Sequence, residues 1–331
     1  MSGYSLFRVS ARGPAGTLKS AEILGVSDPE NLHLLTVYVH GFNNTKAKAT
    51  DNWDDKIWPR IKKLMMRQEH DVMLFLWPSD PNTFKSLAAA GYPDRVKTAI
   101  GAGVELGKYL KEILKCNPDL QVQFVGYSLG CRVVLSAVGY LSEEPQTVPV
   151  VRVLLMGAAV PEGDCTEPGP WPSKVSALFG AAQDQAAHDQ NLIENSDVIL
   201  HSSNDDVLGR KFEFGERWAR RRGLQSRGGK AVGLTGGPSP CRWTGMADPC
   251  KLKHDGYLTD DAALRHVAAM TGTLRDRRLS QRLAGERSFD EQNLDQRRLA
   301  SRLSATTGRW PTAPGTGGQC READGFSLEQ E

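Results

Sequence analysis

The sequence predicts an α/β fold with a mostly parallel, doubly wound sheet flanked by helices. Apolar strand-like runs alternate with helical periodicity from residue 32 to about 202, the order that right-handed βαβ crossovers produce. The run at 32–39 is apolar and β-branched over nearly its whole length, as expected of a strand buried on both faces of a sheet. At 331 residues, the chain is long enough for one such sheet with peripheral additions.

The first half of the predicted sheet contains two strands and two helices. A β-branched apolar run at 32–39 predicts a strand that ends at His40-Gly41-Phe42. A second strand is predicted at 72–77, followed by an amphipathic helix from Val96 to Leu114. The helix between the two strands is predicted from apolar residues at three- and four-residue spacing, namely Trp53, Ile57, Ile61, Leu64 and Met65. The first thirty residues favour one or two additional antiparallel strands.

The second half surrounds a GxSxG motif. Residues 121–127 form an apolar strand-like run, and the residues after the motif predict a helix from Cys131 onward. Further strands are predicted at 150–157 and 196–201. A Pro/Gly-rich loop and a helix beginning near Ser173 are expected between those two strands.

The composition is that of a globular protein. The hydrophobic share is 40% and the charged share is 24%, and no apolar stretch approaches the ~20 residues that cross a bilayer. The N-terminus has no apolar signal segment, so we expect a cytoplasmic location. Six cysteines lack the paired spacing of a zinc site or a disulfide framework and are expected to be free thiols, mostly buried. No metal or organic cofactor is expected.

One α/β domain is expected over residues 1–272, with its core at 32–258. Charged peripheral helices are expected at 273–304, where arginines and acidic residues alternate with leucines. A disordered tail, rich in Gly, Pro and Thr, is expected at 305–331.

An Arg-rich insertion is expected within this domain at about 210–230. It carries eight cations against only Glu213 and Glu216. A solvated helix face is the favoured interpretation of this charge. Peripheral contact of Arg210–Lys230 with an anionic membrane is the alternative, and contact with nucleic acid is less favoured.

The motif Gly126-Tyr127-Ser128-Leu129-Gly130 has the features of a nucleophile elbow. It lies between a predicted strand and a predicted helix, with the serine at its apex. Glycines two positions before and after the serine let the chain turn without a side-chain clash. N–H groups at the helix start then face developing negative charge. A motif this short also arises by chance, so the chain must supply the partners that Ser128 needs.

A serine nucleophile requires a base and an acid that orients the base. In α/β-hydrolases the chain order is serine, acid, histidine, so both partners are expected after Ser128. Asp205 follows the last predicted strand and is the predicted acid, with Asp206 as its competitor. Both aspartates also fit the simpler role of capping a turn. His254 is the predicted base because it lies in a polar loop, whereas His266 falls within a helical pattern.

Two backbone N–H groups are predicted to form an oxyanion hole. One belongs to Leu129, immediately after the nucleophile. The other is that of Phe42, in the turn after the first strong strand. His40 is expected to fix this turn by hydrogen bonding.

Five separated segments resemble one known group of proteins. They are VYVHGFNN at 37–44, FLWPSD at 75–80, GYSLG at 126–130, SSNDDVL at 202–208 and HDGY at 254–257. Together they resemble an uncharacterised, esterase- or lipase-like group of bacterial α/β-hydrolases. The resemblance implies the α/β-hydrolase fold, a triad of Ser128, Asp205 and His254, and an oxyanion hole formed by the HGF and GYSLG turns. Tyr127 departs from the group, whose members commonly have histidine there.

The sequence therefore predicts a serine hydrolase that cleaves an ester or related acyl bond, with carboxylesterase or lipase activity (EC 3.1) favoured. Thioester, amide and peptide substrates are left open, as is the oligomeric state. One competing hypothesis is a binding protein that keeps the fold but does little chemistry. Another is a hydrolase recruited to an anionic surface by its Arg-rich segment.

Overall fold

The computed structural model describes residues 6–14, 17–24, 32–68, 70–80, 88–142, 150–166, 197–236 and 252–274. In these ranges the strands are β1 Leu6–Arg12, β2 Leu18–Leu24, β3 Leu34–Val39, β4 Met65–Gln68, β5 Asp71–Leu76, β6 Gln121–Tyr127, β7 Val150–Met156, β8 Asp197–Leu200 and β9 Gly272–Leu274. The α-helices in the same ranges are α1 Lys46–Asp51, α2 Trp58–Leu64, α3 Ala88–Cys116, α4 Gly130–Ser142, α5 Glu213–Arg221, α6 Val232–Thr235 and α7 Asp261–Thr271.

Seven of these strands form one sheet in the order β2-β1-β5-β3-β6-β7-β8. Neighbours from β1 to β8 in this order are parallel, and β2 pairs with β1 in the antiparallel direction. The predicted α/β class with a mostly parallel sheet is therefore confirmed. The N-terminal segment adds one antiparallel strand, β2, while β1 runs with the rest of the sheet.

Helices cover both faces of the sheet because its strands are apolar on both sides. In β3, Val37 belongs to the core that also contains residues of α3 and α4. The next residue, Tyr38, packs its ring on Trp53 at 4.4 Å between centroids. Thr36, two residues from Tyr38, donates a hydrogen bond to the Met270 carbonyl of α7 at 2.7 Å. Since side chains alternate along a strand, α3 and α4 lie on one face and α7 lies on the other.

The helix predicted around Trp53 consists of three consecutive helical segments. α1 continues through a π-helical stretch, Asn52–Ile57, into α2. Trp53, Ile57 and Ile61 are buried, as their spacing predicts. The assignment of Met65 to this helix is wrong, because Met65 begins β4 and pairs with the distant strand β9. A long-range pairing of this kind overrides local periodicity.

The C-terminal segment also begins differently from the expectation. Gly272–Leu274 form a strand where charged helices are expected from residue 273. The rest of that segment, the tail at 305–331 and the helix predicted near Ser173 lie outside the described residues. Of the cysteines that the structure describes, Cys131 and Cys165 are buried and Cys116 is exposed.

The Arg-rich segment is largely helical. A π-helical turn, Val207–Phe212, leads directly into α5, and most of its arginines and lysines are exposed. Glu216 is the exception to the expected solvated charge, because it is buried. Neither α5 nor any other helix in the described ranges combines the length and apolarity needed to span a membrane.

Candidate active site

Ser128 lies at the sharp turn between β6 and α4. Its φ angle is 54°, in the left-handed region that residues with a side chain rarely adopt. The flanking glycines make the turn tight. A β-carbon on Gly126 would lie 2.9 Å from Cys131 Cα, and one on Gly130 would lie 2.5 Å from the His40 carbonyl oxygen. The chain therefore turns as the GxSxG spacing predicts, with the serine at the apex.

The loop after β3 packs directly against this turn. A β-carbon on Gly41 would lie 3.0 Å from both Ser128 Cβ and Tyr127 Cδ1, so the absence of a side chain allows the close approach. Asn44 fixes the loop from the other side. Its Nδ2 donates to the carbonyl oxygens of Gly41 and Phe42 at 3.1 and 3.2 Å. The HGF turn and the serine turn thus meet at the carboxyl edge of the sheet.

His40 holds the same loop through both of its ring nitrogens. Nδ1 lies 2.9 Å from the Gly41 carbonyl oxygen, and Nε2 lies 3.3 Å from the backbone N–H of Trp77. A carbonyl accepts and an N–H donates, so the ring is neutral with its proton on Nδ1. Burial is the main cause that lowers the pKa of His40 from 6.5 to about 4. These contacts fit the structural role expected for His40.

Ser128, His254 and Asp205 form a continuous hydrogen-bonded chain. Ser128 Oγ lies 2.8 Å from His254 Nε2, and His254 Nδ1 lies 2.7 Å from Asp205 Oδ2. An ionised carboxylate only accepts, so Nδ1 donates to Asp205 and Nε2 accepts from the serine hydroxyl. His254 begins a 3₁₀ turn, His254–Leu258. The alternative base, His266, lies within α7, where burial lowers its pKa.

Asp205, and not Asp206, contacts the histidine. The Asp205 side chain is fully buried, and its second oxygen, Oδ1, accepts the backbone N–H groups of Val207 and Leu208 at 3.1 and 2.9 Å. These two bonds orient the carboxylate and leave Oδ2 for His254. Asp206 is exposed. The aspartate that caps the following helical turn is therefore the same one that meets the imidazole.

Tyr127 secures the turn that carries His254. Its hydroxyl donates to the His254 carbonyl oxygen at 3.0 Å and lies 3.3 Å from Asp255 Oδ1. Its ring lies against the imidazole, with 5.3 Å between centroids and a 34° tilt. Burial, and next the charge of Asp255, raise the pKa of Tyr127 well above its ordinary value, so the hydroxyl stays protonated. The sequence motif gives no sign of this contact.

The backbone N–H groups of Leu129 and Phe42 have no hydrogen-bond acceptor among the described residues. Leu129 is adjacent to Ser128, and Phe42 follows Gly41, whose backbone packs against the serine. Both N–H groups expected as donors therefore belong to the two turns that meet at Ser128, and neither is used within the described residues.

A buried ionic cluster, which the sequence analysis missed, connects α4 to α5. The side chains of Arg132 and Glu216 are each 1% exposed and form an ion pair. Arg132 Nε also donates to the Ala159 carbonyl oxygen at 2.9 Å, and the Tyr92 hydroxyl donates to Glu216 Oε1 at 2.8 Å. Asp164 is equally buried, 3.9 Å from the guanidinium. The cluster connects the helix that follows Ser128 to the Arg-rich segment.

Cys131 lies three residues after Ser128, at the start of α4. Cys131 is buried, and burial raises the pKa of its thiol far above the ordinary value, so it stays neutral. No group of three or more His, Cys, Asp or Glu side chains in the described ranges could hold a metal ion.

The order of the strands and the positions of the site residues on them decide the fold. The serine turn follows β6, Asp205 follows β8 and the HGF loop leaves β3, all at one edge of the sheet. The fold is the α/β-hydrolase fold. A similar solved structure is that of LpqC, a poly(3-hydroxybutyrate) depolymerase from Bordetella parapertussis. It is 15% identical, with a TM-score of 0.34, over 76% of this chain and 83% of that chain. No protein-family model and no curated protein sequence matches the chain.

Proposed function

We propose that the protein is a serine hydrolase that cleaves an ester or a related acyl bond. The unbroken hydrogen-bonded chain from Asp205 through His254 to Ser128 is the observation that supports this most. Both distances lie within the range of effective proton transfer. The positive φ of Ser128 supports it as well. Such strain costs ~1–3 kcal/mol and is concentrated at functional sites.

Each group has a defined task in acyl transfer. Ser128 Oγ attacks the acyl carbon while His254 Nε2 takes the hydroxyl proton. Asp205 holds the ring in the tautomer that leaves Nε2 free to accept, and it stabilises the imidazolium that forms. The N–H groups of Leu129 and Phe42 donate to the carbonyl oxygen as it becomes negatively charged. Each such donor is worth ~10² to 10³ in rate.

Three further proton transfers complete the reaction. His254 gives its proton to the leaving group, and the acyl group stays bound to Ser128. Water next attacks the acyl carbon while His254 takes a proton from it. His254 then returns this proton to Ser128 Oγ as the acid leaves, which restores the serine. The HGFNN, WPS and GxSxG segments that resemble the esterase- or lipase-like bacterial group favour carboxylesters as substrates.

Covalent labelling with a fluorophosphonate tests this proposal, because the reagent reacts with an activated serine. We expect the wild-type protein to be labelled at Ser128 and Ser128→Ala to stay unlabelled. Ser136→Ala, which alters another buried serine on α4, is the matched control and is expected to label normally. Labelling that persists in Ser128→Ala would assign the nucleophile to another residue.

Turnover of a p-nitrophenyl ester tests the other two roles in the same set of variants. We expect His254→Ala and Asp205→Asn each to lower kcat by ~10⁴ or more, as in other serine triads. Their neighbours, His266→Ala and Asp206→Asn, are expected to keep most of the activity. A wild-type protein that neither labels nor turns over esters would instead be a binding protein with this fold.

A further inference from the structure

The helix α5 presents an outward surface of aromatic and cationic side chains, which we call the basic-aromatic face. Its members are Arg210 and Lys211 from the preceding π-helical turn, together with Phe214, Arg217, Trp218 and Arg221. The opposite side of the helix is buried and consists of Phe212, Gly215, Glu216 and Ala219. Because the buried side already attaches α5 to the protein, folding does not require the outward side chains.

Phe214 is the feature of this face that a merely solvated helix does not explain. It is 55% exposed, more than any other large hydrophobic residue that the structure describes. Its ring meets that of Trp218 edge-on, with 6.1 Å between centroids. Exposed apolar surface costs free energy in water. Aromatic rings are favourable at the headgroup level of a membrane, where neighbouring cations can contact anionic lipids.

The cations of the basic-aromatic face are not neutralised locally. None of its four cations forms an ion pair with any described residue. Glu216, which is near them in sequence, is buried in its pair with Arg132 and does not offset their charge. Glu213 is the exposed acid of α5. The face therefore has a positive charge that suits an anionic surface.

We propose that the basic-aromatic face binds an anionic lipid bilayer. Phe214 and Trp218 enter the headgroup region, and the four cations contact lipid phosphates. Nucleic acid fits this face less well, because bases stack on open aromatic rings. Here the Trp218 ring has Arg222 over it, 5.9 Å from the centroid, and Phe214 meets it edge-on.

A short stretch of chain connects the candidate active site to the helix that carries this face. The chain runs from Asp205 through the Val207–Phe212 turn directly into α5. The two Asp205 bonds to Val207 and Leu208 connect the acid rigidly to that turn. Lipid binding itself does not depend on hydrolase activity, so it can be tested with a protein that cannot turn over.

Co-sedimentation of Ser128→Ala protein with vesicles tests the proposal without any lipid hydrolysis. We expect binding to vesicles of equal parts phosphatidylcholine and phosphatidylglycerol, and little binding to phosphatidylcholine alone. Added salt is expected to weaken binding, because it screens exposed charges. Arg217→Gln and Arg221→Gln are each expected to lower the partition constant about fivefold. Phe214→Ser is expected to lower it about tenfold while leaving the thermal unfolding midpoint unchanged.

The matched control is Lys46→Gln with Lys115→Gln, which removes two exposed charges outside this face. This variant is expected to bind as the parent does. The proposal is overturned if anionic vesicles do not retain the parent protein, or if the control lowers binding as much as the arginine variants. It is also overturned if a single-stranded RNA oligonucleotide binds while vesicles do not. Ester turnover of the wild-type protein is measured separately, so failure of one proposal leaves the other standing.

Discussion

Tyr127 immediately precedes Ser128, and its hydroxyl reaches the turn that begins with His254. The ring also lies against the imidazole of His254. One residue thus connects the serine turn to the histidine turn, two segments that are far apart in sequence. The identity of this residue therefore bears on how firmly His254 is positioned, although it takes no part in proton transfer.

Tyr127→Phe removes the hydroxyl and keeps the ring. We expect kcat for a p-nitrophenyl ester to fall about fivefold to tenfold with KM nearly unchanged. The reason is that the turn beginning at His254 loses the hydrogen bonds from the Tyr127 hydroxyl to the His254 carbonyl and Asp255. Tyr140→Phe on α4 is the matched control, since its hydroxyl has no hydrogen-bond partner among the described residues. Equal kinetics of the two variants would show that the hydroxyl of Tyr127 does not position the base.

The residues of the candidate site were predictable to the extent that chain order constrains them. A motif identifies Ser128, and the order serine, acid, histidine limits the partners to a few downstream positions. The choice between Asp205 and Asp206 was open, because adjacent residues differ only in the direction of their side chains. The backbone N–H groups of Val207 and Leu208 donate to Asp205 Oδ1 and orient this side chain towards His254. No local sequence pattern indicates these contacts.

At the scale of elements, strands buried on both faces were the easiest to predict. β3, β5 and β6 are continuous apolar runs, and the structure places each of them near the predicted bounds. Met65 was harder, because its apolar side chain fits a helical stripe and a strand equally well. Its strand exists through pairing with β9, more than two hundred residues away. Sequence periodicity contains no information about such a partner.

At the scale of the whole molecule, α4 and α5 are joined by a buried ion pair that no sequence periodicity indicates. Arg132 on α4 and Glu216 on α5 are 84 residues apart in sequence and meet in the interior. In the sequence, Glu216 is one acid within an Arg-rich run, and such runs are usually solvated. Burial makes this pair costly to break, because a single remaining charge would be stranded away from water.

Glu216→Gln is expected to lower the free energy of unfolding by up to ~3–5 kcal/mol, since Arg132 loses the closer of its two buried counter-charges and keeps only Asp164, 3.9 Å away. Glu213→Gln, an exposed position on the same helix, is expected to change it by less than about 0.5 kcal/mol. Urea unfolding of both variants provides the measurement. Equal unfolding free energies of Glu216→Gln and Glu213→Gln would contradict this account of the cluster.

The single tautomer required of His40 makes the native state sensitive to acid. The unfolded chain binds a proton at this ring near pH 6.5, whereas the native ring does so only near pH 4. The contribution of neutral His40 to the free energy of unfolding is therefore complete above pH 6.5, and it is lost as the pH falls from there towards 4. Urea unfolding of the wild-type protein and of His40→Gln, each at pH 7 and pH 4, measures this contribution. We expect the wild type to lose ~3 kcal/mol more than the variant across that interval. Equal losses in the two proteins would mean that protonation of His40 does not cause the acid sensitivity of the native state.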